Sequence, residues 1–332
     1  MQYDINIKKV RKIQDAIWGN IKQTFSYKKG YGKPLEIFGH YGGVFEAGEE
    51  KLVMHTDGVG TKLLIAEKMK KYDTVGIDAI AMSVNDILCL GAEPIAGVDY
   101  IALRKEDPEM IEQIVKGLVK GAHECNCPII GGETAIVKDI LQEGAFDLTF
   151  TVIGRVKKLI LGNDITEGMV LIGLESSGLH SNGYTLARKI LSIEEWGNEL
   201  LEPTKIYVKP VLEIIEKIGV FGIAHITGGS FSKLTRLNKG VEFEIEFEKM
   251  PQTKLYLEIE KKIPEVVERY RTFNMGIGMV LVANKQDVAA IQKIAEKYKI
   301  KSYVIGKTKK GKGVYLEKEG ERIKLSYEDS GI

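Results

Sequence analysis

Three segments of the sequence combine residue types that bind phosphate, and the first is His55-Thr-Asp-Gly-Val-Gly-Thr-Lys62. It places an acid, two glycines, a hydroxyl and a lysine between a strand pattern and a helix pattern. Glycines let backbone N–H groups approach an anion, the start of the following helix attracts it, and Lys62 can neutralise its charge. The spacing is neither that of a Walker A loop nor that of a dinucleotide fingerprint. The segment is therefore a phosphate loop or a glycine-rich turn with a capping acid.

The second segment is the helix pattern Gly76–Leu90, which is apolar on almost every side and is expected to be buried. Buried carboxylates are costly unless they are paired or bind a cation. We expect four acids to form one cluster of oxygen ligands suited to Mg²⁺: Asp57, Asp78, Asp86 and Glu133. The alternative is that these acids pair with Lys62 or with backbone amides.

The third segment, Ser176-Ser-Gly-Leu-His-Ser-Asn-Gly183, also joins a strand pattern to a helix pattern, and His225-Ile-Thr-Gly-Gly229 repeats the design. Hydroxyls, an imidazole and free N–H groups at a helix start form an anion-binding turn. Two such turns suit a substrate that carries a phosphate. The alternatives are a capping role for Ser181 or Asn182 and a core position for the histidines, such as His180.

Composition limits the class of protein. The 332 residues are 44% hydrophobic and 28% charged, as in globular proteins with sizeable cores, which excludes disordered and fibrous classes. The formal charge of +1 gives no reason to expect nucleic acid or an anionic membrane as a partner. No stretch approaches the roughly 18–20 apolar residues that span a bilayer, and Met1–Lys12 is polar, so we expect a cytoplasmic protein. Cys125 and Cys127 lack a second pair at zinc spacing, and we expect reduced, packed thiols.

The chemistry-bearing segments lie among alternating strand and helix patterns. Residues 7–25 predict an amphipathic helix that packs on the body through Ile7, Val10, Ile13, Ile17 and Ile21. Residues 27–43, rich in glycine, are predicted to form a loop or a pair of short strands with tight turns. In the first half we predict strands at 51–56, 95–102, 128–130 and 147–157, and helices at 61–70, 76–90 and 108–124.

The pattern resets near residues 158–168, which predicts two domains, 1–160 and 165–332. The second domain is expected to form a mixed sheet covered by helices. Its strands are predicted near residues 169, 222, 241, 279, 302 and 314, and its helices near 182, 204, 230, 254 and 286. The basic run Lys307–Lys312 is interpreted as a solvated hairpin turn.

At this point the residues resemble a known family, the phosphoribosylformylglycinamidine cyclo-ligases, also called aminoimidazole ribonucleotide synthetases. The resemblance covers nearly the whole chain in order. It is carried by nine segments: Thr56–Lys62, Asp73–Asp78, Val84–Ile87, Gly91–Pro94, Ile130–Ala135, Ser176–Tyr184, Pro203–Val208, Ala224–Gly229 and Arg271–Gly278. The acidic and glycine-rich segments are shared with a wider ATP-dependent superfamily, whereas the Ser-His-Asn turn and the Arg-Thr-Phe-Asn segment look specific to the cyclo-ligases.

The resemblance implies an α+β fold of two domains. The N-terminal mixed α/β domain binds ATP and joins two copies into a homodimer through its strands, and a C-terminal sheet covered by helices binds substrate. The implied reaction converts formylglycinamidine ribonucleotide and ATP to aminoimidazole ribonucleotide, ADP and phosphate in purine biosynthesis. ATP and Mg²⁺ are the implied cofactors, and neither nucleic acid nor a membrane is an implied partner.

The resemblance also implies roles for individual residues. Asp57, Lys62 and His180 are the implied catalytic residues, with His180 a candidate for proton transfer during ring closure. The implied metal ligands are Asp57, Asp78, Asp86 and Glu133. The implied ATP-binding residues are Asp57, Gly58, Gly60, Thr61, Lys62, Asp78, Asn85, Asp86, Glu133 and Thr134. The implied substrate-binding residues are Ser177, Gly178, His180, Ser181, Asn182, His225, Thr227, Gly228 and Gly229.

Three segments depart from the family pattern. Ile136-Val-Lys-Asp139 stands where members commonly continue with Glu-Met-Pro, so one acidic ligand and a rigid turn are missing. Ser230 replaces the third glycine of the usual His-Leu-Thr-Gly-Gly-Gly run. The helix pattern Asn6–Ile21 replaces an extended start, so details of the family's N-terminal lid over ATP are not carried over.

Related enzymes give alternative functions. Selenophosphate synthetases need a reactive Cys or selenocysteine in the glycine-rich segment, and residues 27–43 contain none. Hydrogenase-maturation relatives need a C-terminal cysteine, which is absent here. A thiamine monophosphate kinase is the enzymatic alternative, and a catalytically idle nucleotide-binding paralogue is the other; the four acids and Lys62 favour catalysis.

Overall fold

The computed structural model describes residues 7–327, and for residues 7, 8, 10 and 11 it describes the backbone alone. The helices are α1 (Ile7–Ile21), α2 (Leu63–Met69), α3 (Val75–Leu88), α4 (Pro108–Cys125), α5 (Tyr184–Ile190), α6 (Ile193–Leu201), α7 (Val208–Lys217), α8 (Lys254–Lys262), α9 (Val266–Thr272) and α10 (Val288–Lys297). The strands are β1 (Gly43–Ala47), β2 (Glu50–Gly58), β3 (Ala92–Leu103), β4 (Ile129–Ile136), β5 (Phe146–Val156), β6 (Val170–Glu175), β7 (Gly222–His225), β8 (Val241–Glu246), β9 (Ile277–Ala283), β10 (Ser302–Lys310), β11 (Gly313–Lys318) and β12 (Glu321–Lys324).

The strands form two mixed sheets. The first has the order β1-β2-β5-β3-β4, with β3 and β4 parallel and the other neighbours antiparallel. The second has the order β12-β11-β8-β10-β6-β9-β7, with β8 and β11 parallel. Helices α7 and α10 pack together beside the second sheet, whose strand β9 is buried along its whole length. The fold is thus α+β, as the resemblance implies.

Helix α3 is the central element. All of its residues are buried, because it lies between β2, β3 and β5 on one side and α4, α7 and β7 on the others. The sequence prediction of a helix that is apolar on almost every side is therefore confirmed. The close contact with α4 is made at Gly76 and Gly117, where neither backbone leaves room for a Cβ atom.

The predicted elements of both halves are largely present. Strand β4 is much longer than predicted, because parallel pairing with β3 continues through the glycines at its centre. The helix predicted near residue 230 is a 3₁₀ turn, Ser230–Arg236, and α6, α9 and β12 were not predicted. The three cysteines are free and buried, as expected. The domain limits 1–160 and 165–332 stay a prediction.

The predicted packing of α1 is wrong for the part of its apolar stripe that is described. Ile13, Ile17 and Ile21 are 59%, 52% and 48% exposed, because α1 crosses the glycine-rich loop instead of a sheet face. Its main contact is Trp18, which stacks on Phe38 with ring centroids 4.1 Å apart. The side chains of Ile7 and Val10 lie outside the described residues. Between residues 7 and 327, no helix has both the length and the apolar character needed to cross a bilayer.

We expect Gly76→Ala to destabilise the protein by about 1–3 kcal/mol, since overpacking forces backbones apart. A Cβ atom at Gly76 would lie 2.3 Å from both the Ile114 carbonyl oxygen and the Leu118 nitrogen. The matched control is Gly19→Ala on α1, where, apart from the adjoining helix backbone, no atom of the described residues lies within 4 Å of the new methyl group. Chemical denaturation of both variants checks this expectation, and equal midpoints would contradict it.

Candidate active site

Two carboxylates and an imidazole meet where β2 packs against α3. Side chains alternate between the faces of a sheet, so His55 and Asp57 share with Val53 the face that α3 covers. Helix α3 supplies Asp86, whose Oδ2 lies 3.3 Å from His55 Nε2. Among the described residues, this is the only group of three or more candidate metal-ligand side chains whose ligand atoms all lie within 4.8 Å of one another.

In this group the negative charge of one carboxylate, that of Asp57, is not balanced by its neighbours. His225 Nδ1 lies 2.6 Å from Asp86 Oδ1. Burial acts to raise the pKa of Asp86, but His225 and then His55 outweigh it, and the pKa lies below its ordinary value. Burial and repulsion from Asp86 raise the pKa of Asp57. A cation placed between the two carboxylates would favour the charged form of both.

This donor set fits Mg²⁺. Proteins commonly hold Mg²⁺ with one or two carboxylates, and phosphate oxygens and water complete the octahedron. Asp57 and Asp86 can supply those carboxylates, and the repulsion between them is what a divalent cation would relieve. His55 and His225 then orient Asp86 from behind, as groups outside the coordination shell commonly do.

The prediction of one four-acid cluster within the chain is wrong, because Asp78 lies in a different network. Its carboxylate pairs with the Lys62 ammonium at 2.8 Å, and both side chains are fully buried. The Thr204 backbone N–H donates to Asp78 Oδ1 at 2.7 Å, and the Ser181 hydroxyl donates to it at 3.2 Å. Pairing with Lys62, the alternative left open by the sequence, is what the structure contains.

Lys62 has no free donor direction toward a ligand. Besides Asp78, its ammonium donates to the backbone carbonyl oxygens of His180, at 3.1 Å, and Glu202, at 2.6 Å. An ammonium has three N–H donors, and these three acceptors match them. Burial lowers the pKa of Lys62 although Asp78 acts to raise it. The predicted contact of Lys62 with phosphate stays untested, but this geometry shows a link between α3 and the loops of the second sheet.

Glu133 lies too far from Asp57 to join it within one chain. The register of the first sheet places Glu133, Tyr100, Thr149 and Gly58 in one row across four strands. Three strand spacings of about 4.8 Å separate Glu133 from Gly58 by about 14 Å. Residues in one row share a face, so Glu133 points to the side away from α3 and is exposed, as is its neighbour Thr134.

Asn85 also has a structural environment. Its amide donates to the Lys205 carbonyl oxygen at 2.9 Å and accepts from the Tyr207 N–H at 3.0 Å. Since both ends of the amide are engaged, Asn85 fixes the segment before α7 against α3. Its predicted contact with ATP stays a prediction.

The turn at Ser177–Asn182 is held firmly at its first half. The Ser177 N–H donates to His180 Nε2 at 3.2 Å, and the Gly178 carbonyl oxygen accepts from Asn274 Nδ2 at 2.8 Å. Burial, followed by the charge of His225, holds the pKa of His180 well below its ordinary value. His180 is therefore a neutral, fully buried imidazole, and its role in proton transfer stays a prediction.

The second half of that turn opens toward the other predicted phosphate-binding loops. Asn182 Nδ2 is buried and has no hydrogen-bond partner among the described residues, and Asn182 Oδ1 lies beside Gly228. The Thr61 hydroxyl, next to the positive-φ residue Gly60, lies 3.4 Å from the Thr185 hydroxyl at the start of α5. The loops following β2, β6 and β7 therefore converge at one cleft, and the unpartnered amide of Asn182 is available to a ligand there.

Two cations of this cleft were missed by the sequence analysis, Lys233 and Arg236. Both lie on the 3₁₀ turn Ser230–Arg236, which begins after the left-handed Gly229. Lys233 donates to the Thr227 hydroxyl, and the Arg236 guanidinium lies 5.5 Å from the ring centre of Tyr41. Arg236 also lines a cavity of about 380 Å³ beneath α1 that reaches His55. The sequence signal that could have identified Lys233 and Arg236 is a pair of basic residues, three positions apart, after the Gly228–Gly229 turn.

Comparison with known proteins shows which family the chain belongs to. The family model for the AIR synthase related protein N-terminal domain matches residues 39–156, and the C-terminal domain model matches residues 166–319. A phosphoribosylformylglycinamidine cyclo-ligase from Methanocaldococcus jannaschii is 44% identical, over 96% of this chain and 95% of that one. The chain belongs to the phosphoribosylformylglycinamidine cyclo-ligase family. Another cyclo-ligase, from Methanobrevibacter smithii, is 47% identical over 86% of this chain and 87% of its own.

Solved structures share the fold of this cyclo-ligase family member. A ThiL structure in complex with AMPPCP and TMP superposes with a TM-score of 0.69 over 98% of each chain, at 17% sequence identity. At that identity the likeness establishes the fold alone. The departure of this chain from the cyclo-ligase pattern, Ile136–Asp139, lies at the exposed end of β4, where the Val137 N–H bonds to the Leu103 carbonyl oxygen.

We expect Lys62→Met to destabilise this cyclo-ligase family member by about 3–5 kcal/mol, because it leaves the buried Asp78 carboxylate without its counter-charge. The control is Lys68→Met, which breaks a solvent-exposed pair with Glu194 and is expected to cost less than about 1 kcal/mol. Urea denaturation measures both. Equal losses for the two variants would show that the Lys62 pair contributes no more than a surface pair.

Proposed function

We propose that this chain catalyses the ATP-dependent cyclisation of formylglycinamidine ribonucleotide to aminoimidazole ribonucleotide, with release of ADP and phosphate, as a ligase of purine biosynthesis. The observation that carries the proposal is the 40–47% identity to cyclo-ligases over most of the chain. The thiamine monophosphate kinase alternative is not favoured, since the ThiL structure is only 17% identical.

The reaction has two steps. The formyl oxygen of the substrate attacks the γ-phosphorus of ATP, the bond from that phosphorus to the β,γ-bridging oxygen breaks, and ADP leaves. The amidine nitrogen then bonds to the activated formyl carbon, the carbon–oxygen bond breaks with loss of phosphate, and a proton leaves the ring. Phosphoryl transfer needs positioning and neutralisation of charge more than covalent chemistry from the protein.

The residues at the cleft can supply both. Asp57 and Asp86 would hold Mg²⁺, which neutralises charge on the transferred phosphoryl oxygens when bound. The backbone at Gly58 and Gly60, with the Thr61 hydroxyl, faces the same cleft and suits the phosphate chain. ThiL, which shares this fold, was solved in complex with AMPPCP, so the fold can hold a nucleotide.

The substrate is assigned to the loops of the second sheet. The backbone of Gly228 and Gly229 and the Asn182 amide, whose Nδ2 has no partner among the described residues, suit the ribose phosphate and the amidine end. Ser177, Gly178, Ser181 and Thr227 shape these loops through their hydrogen bonds. His225 supports the same site through Asp86.

The first sheet has the properties of a homodimer interface. Helix α3 covers one face, and the other face exposes Met54, Val98 and Tyr100, each between 37% and 48%. The edge strand β4 adds Ile130, which is 71% exposed. Contiguous exposed apolar surface on a sheet with an unpaired edge marks an interaction site. A second copy of the chain is the proposed occupant.

A dimer would also give Glu133 and Thr134 a way to reach nucleotide. Both lie on the exposed edge strand, and Glu133 is about 14 Å from Gly58 within one chain by three strand spacings. In a two-fold dimer built on these faces, β4 of one copy can approach the phosphate loop of the other. We therefore assign Glu133 to the site of the partner subunit.

The function is tested by incubating the purified protein with ATP, Mg²⁺ and formylglycinamidine ribonucleotide, and equimolar ADP and aminoimidazole ribonucleotide are expected. Asp57→Asn should reduce turnover at least about 100-fold, because it removes a metal-binding charge. Its thermal midpoint should not fall, since Asp57 is repelled by Asp86 in the unliganded protein.

The control is Asp164→Asn, which changes an exposed acid outside the proposed site and should leave turnover unchanged. ADP release without aminoimidazole ribonucleotide would reject the cyclo-ligase assignment. Wild-type turnover by Asp57→Asn would instead remove Asp57 from the metal site.

Ile130→Glu should dissociate the dimer, because a charge at the centre of an apolar interface must be desolvated. Sedimentation velocity is expected to show dimer for the wild type and monomer for the variant. Val119→Glu is the matched control, since Val119 is 59% exposed on α4, on the other side of the first sheet. A dimeric Ile130→Glu protein, or a monomeric wild type, would rule out this interface.

A further inference from the structure

Lys233 is a mostly buried lysine at the mouth of the cleft. Its ammonium donates to the Thr227 hydroxyl, and in the described part of the chain no carboxylate lies within 4 Å of it. It remains within electrostatic range of Asp57 and Asp86. Burial, followed by Arg236, lowers the pKa of Lys233 to about 8 although both carboxylates act to raise it.

The position of Lys233 differs from that of the other buried lysine at this site. The three donors of Lys62 are matched by Asp78 and two backbone carbonyl oxygens. Among the residues that the structure describes, Lys233 has one hydrogen-bond acceptor, a neutral hydroxyl, and two of its donors are without a partner there. A desolvated ammonium without a counter-ion is unfavourable in the unliganded protein and is stabilised by a bound anion.

The surroundings indicate which anion. Lys233 lies on the turn that follows the Gly228–Gly229 loop, within electrostatic range of the two carboxylates that suit Mg²⁺. An anion bound beside Lys233 would contact both its ammonium and a metal ion held by Asp57 and Asp86. The transferred phosphoryl group is the anion that must lie beside the metal and between the nucleotide and substrate loops.

We propose that Lys233, and not Lys62 of the glycine-rich motif, is the lysine that binds the transferred phosphoryl group. This inference rests on the proposed function for the identity of the reaction. That a terminal phosphate binds beside Lys233 does not depend on which reaction follows. The ammonium donates hydrogen bonds to the phosphoryl oxygens before and after transfer, and it makes no covalent bond. Its charge adds to that of the metal as ADP leaves.

The test measures binding of a non-hydrolysable ATP analogue and of ADP, both with Mg²⁺, by titration calorimetry on the same preparation. Lys233→Met should reduce the preference for the analogue over ADP by about 10-fold, as expected for a lost charge-assisted hydrogen bond. The ratio does not depend on the folded fraction, because both ligands are measured on one sample. Turnover should fall about 100-fold.

Three variants complete the design. Lys233→Arg keeps the charge and should retain more of the preference than Lys233→Met. Lys239→Met removes an exposed lysine three residues after the turn that carries Lys233 and should change the affinity for neither the analogue nor ADP. Lys62→Met should lower the thermal midpoint and weaken binding of the analogue and of ADP by similar factors, because it loosens the loops around the cleft but removes no contact with the terminal phosphate.

Two outcomes would overturn the assignment: an unchanged ratio in Lys233→Met, or loss of the ratio in Lys62→Met. The proposed function is tested separately. If the wild-type protein forms no aminoimidazole ribonucleotide, the cyclisation is rejected. If Lys233→Met nevertheless loses the preference for the analogue over ADP, the phosphoryl-binding role of Lys233 is supported.

Discussion

The buried ion pair of Lys62 and Asp78 is the interaction on which the cleft depends. Lys62 follows the end of β2, Asp78 belongs to α3, and their remaining hydrogen bonds go to the loops that precede α5 and α7. The pair therefore joins the first sheet, its central helix and the loops of the second sheet at one point. Together with the Asn85 hydrogen bonds to the segment before α7, that junction fixes the separation of the phosphate loop and the substrate turns.

Helix α3 divides structural from chemical roles by the geometry of a helix. Asp78 and Asn85 are seven residues apart, which is close to two turns, so both face the loops of the second sheet. Asp86 is one residue further, about 100° around the axis, and faces β2 and His225 instead. One helix thus anchors the second half of the molecule and presents a carboxylate to the cleft.

The sequence predicted the fold well because periodicity is local: a helix that is apolar all round must be buried, and α3 is. It predicted the site less well, because a buried acid has two physical solutions, a cation or a lysine, and spacing alone did not separate them for Asp78. The separation of Glu133 from Asp57 within one chain was not predicted, because it depends on strand order, which no local pattern encodes. Lys233 was missed because its turn was interpreted as a helix near residue 230.

Structural specificity explains why a buried ion pair, and not an apolar contact, occupies this position. Replacing a buried ion pair by apolar residues of similar volume is often neutral or stabilising, so stability alone does not account for Lys62 and Asp78. Apolar side chains pack in many orientations, whereas Lys62 has three directed donors and three acceptors on separate segments. The pair therefore selects one arrangement of the loops. A catalyst that works by positioning requires that selectivity, because phosphoryl transfer tolerates little error in the distance between its reacting groups.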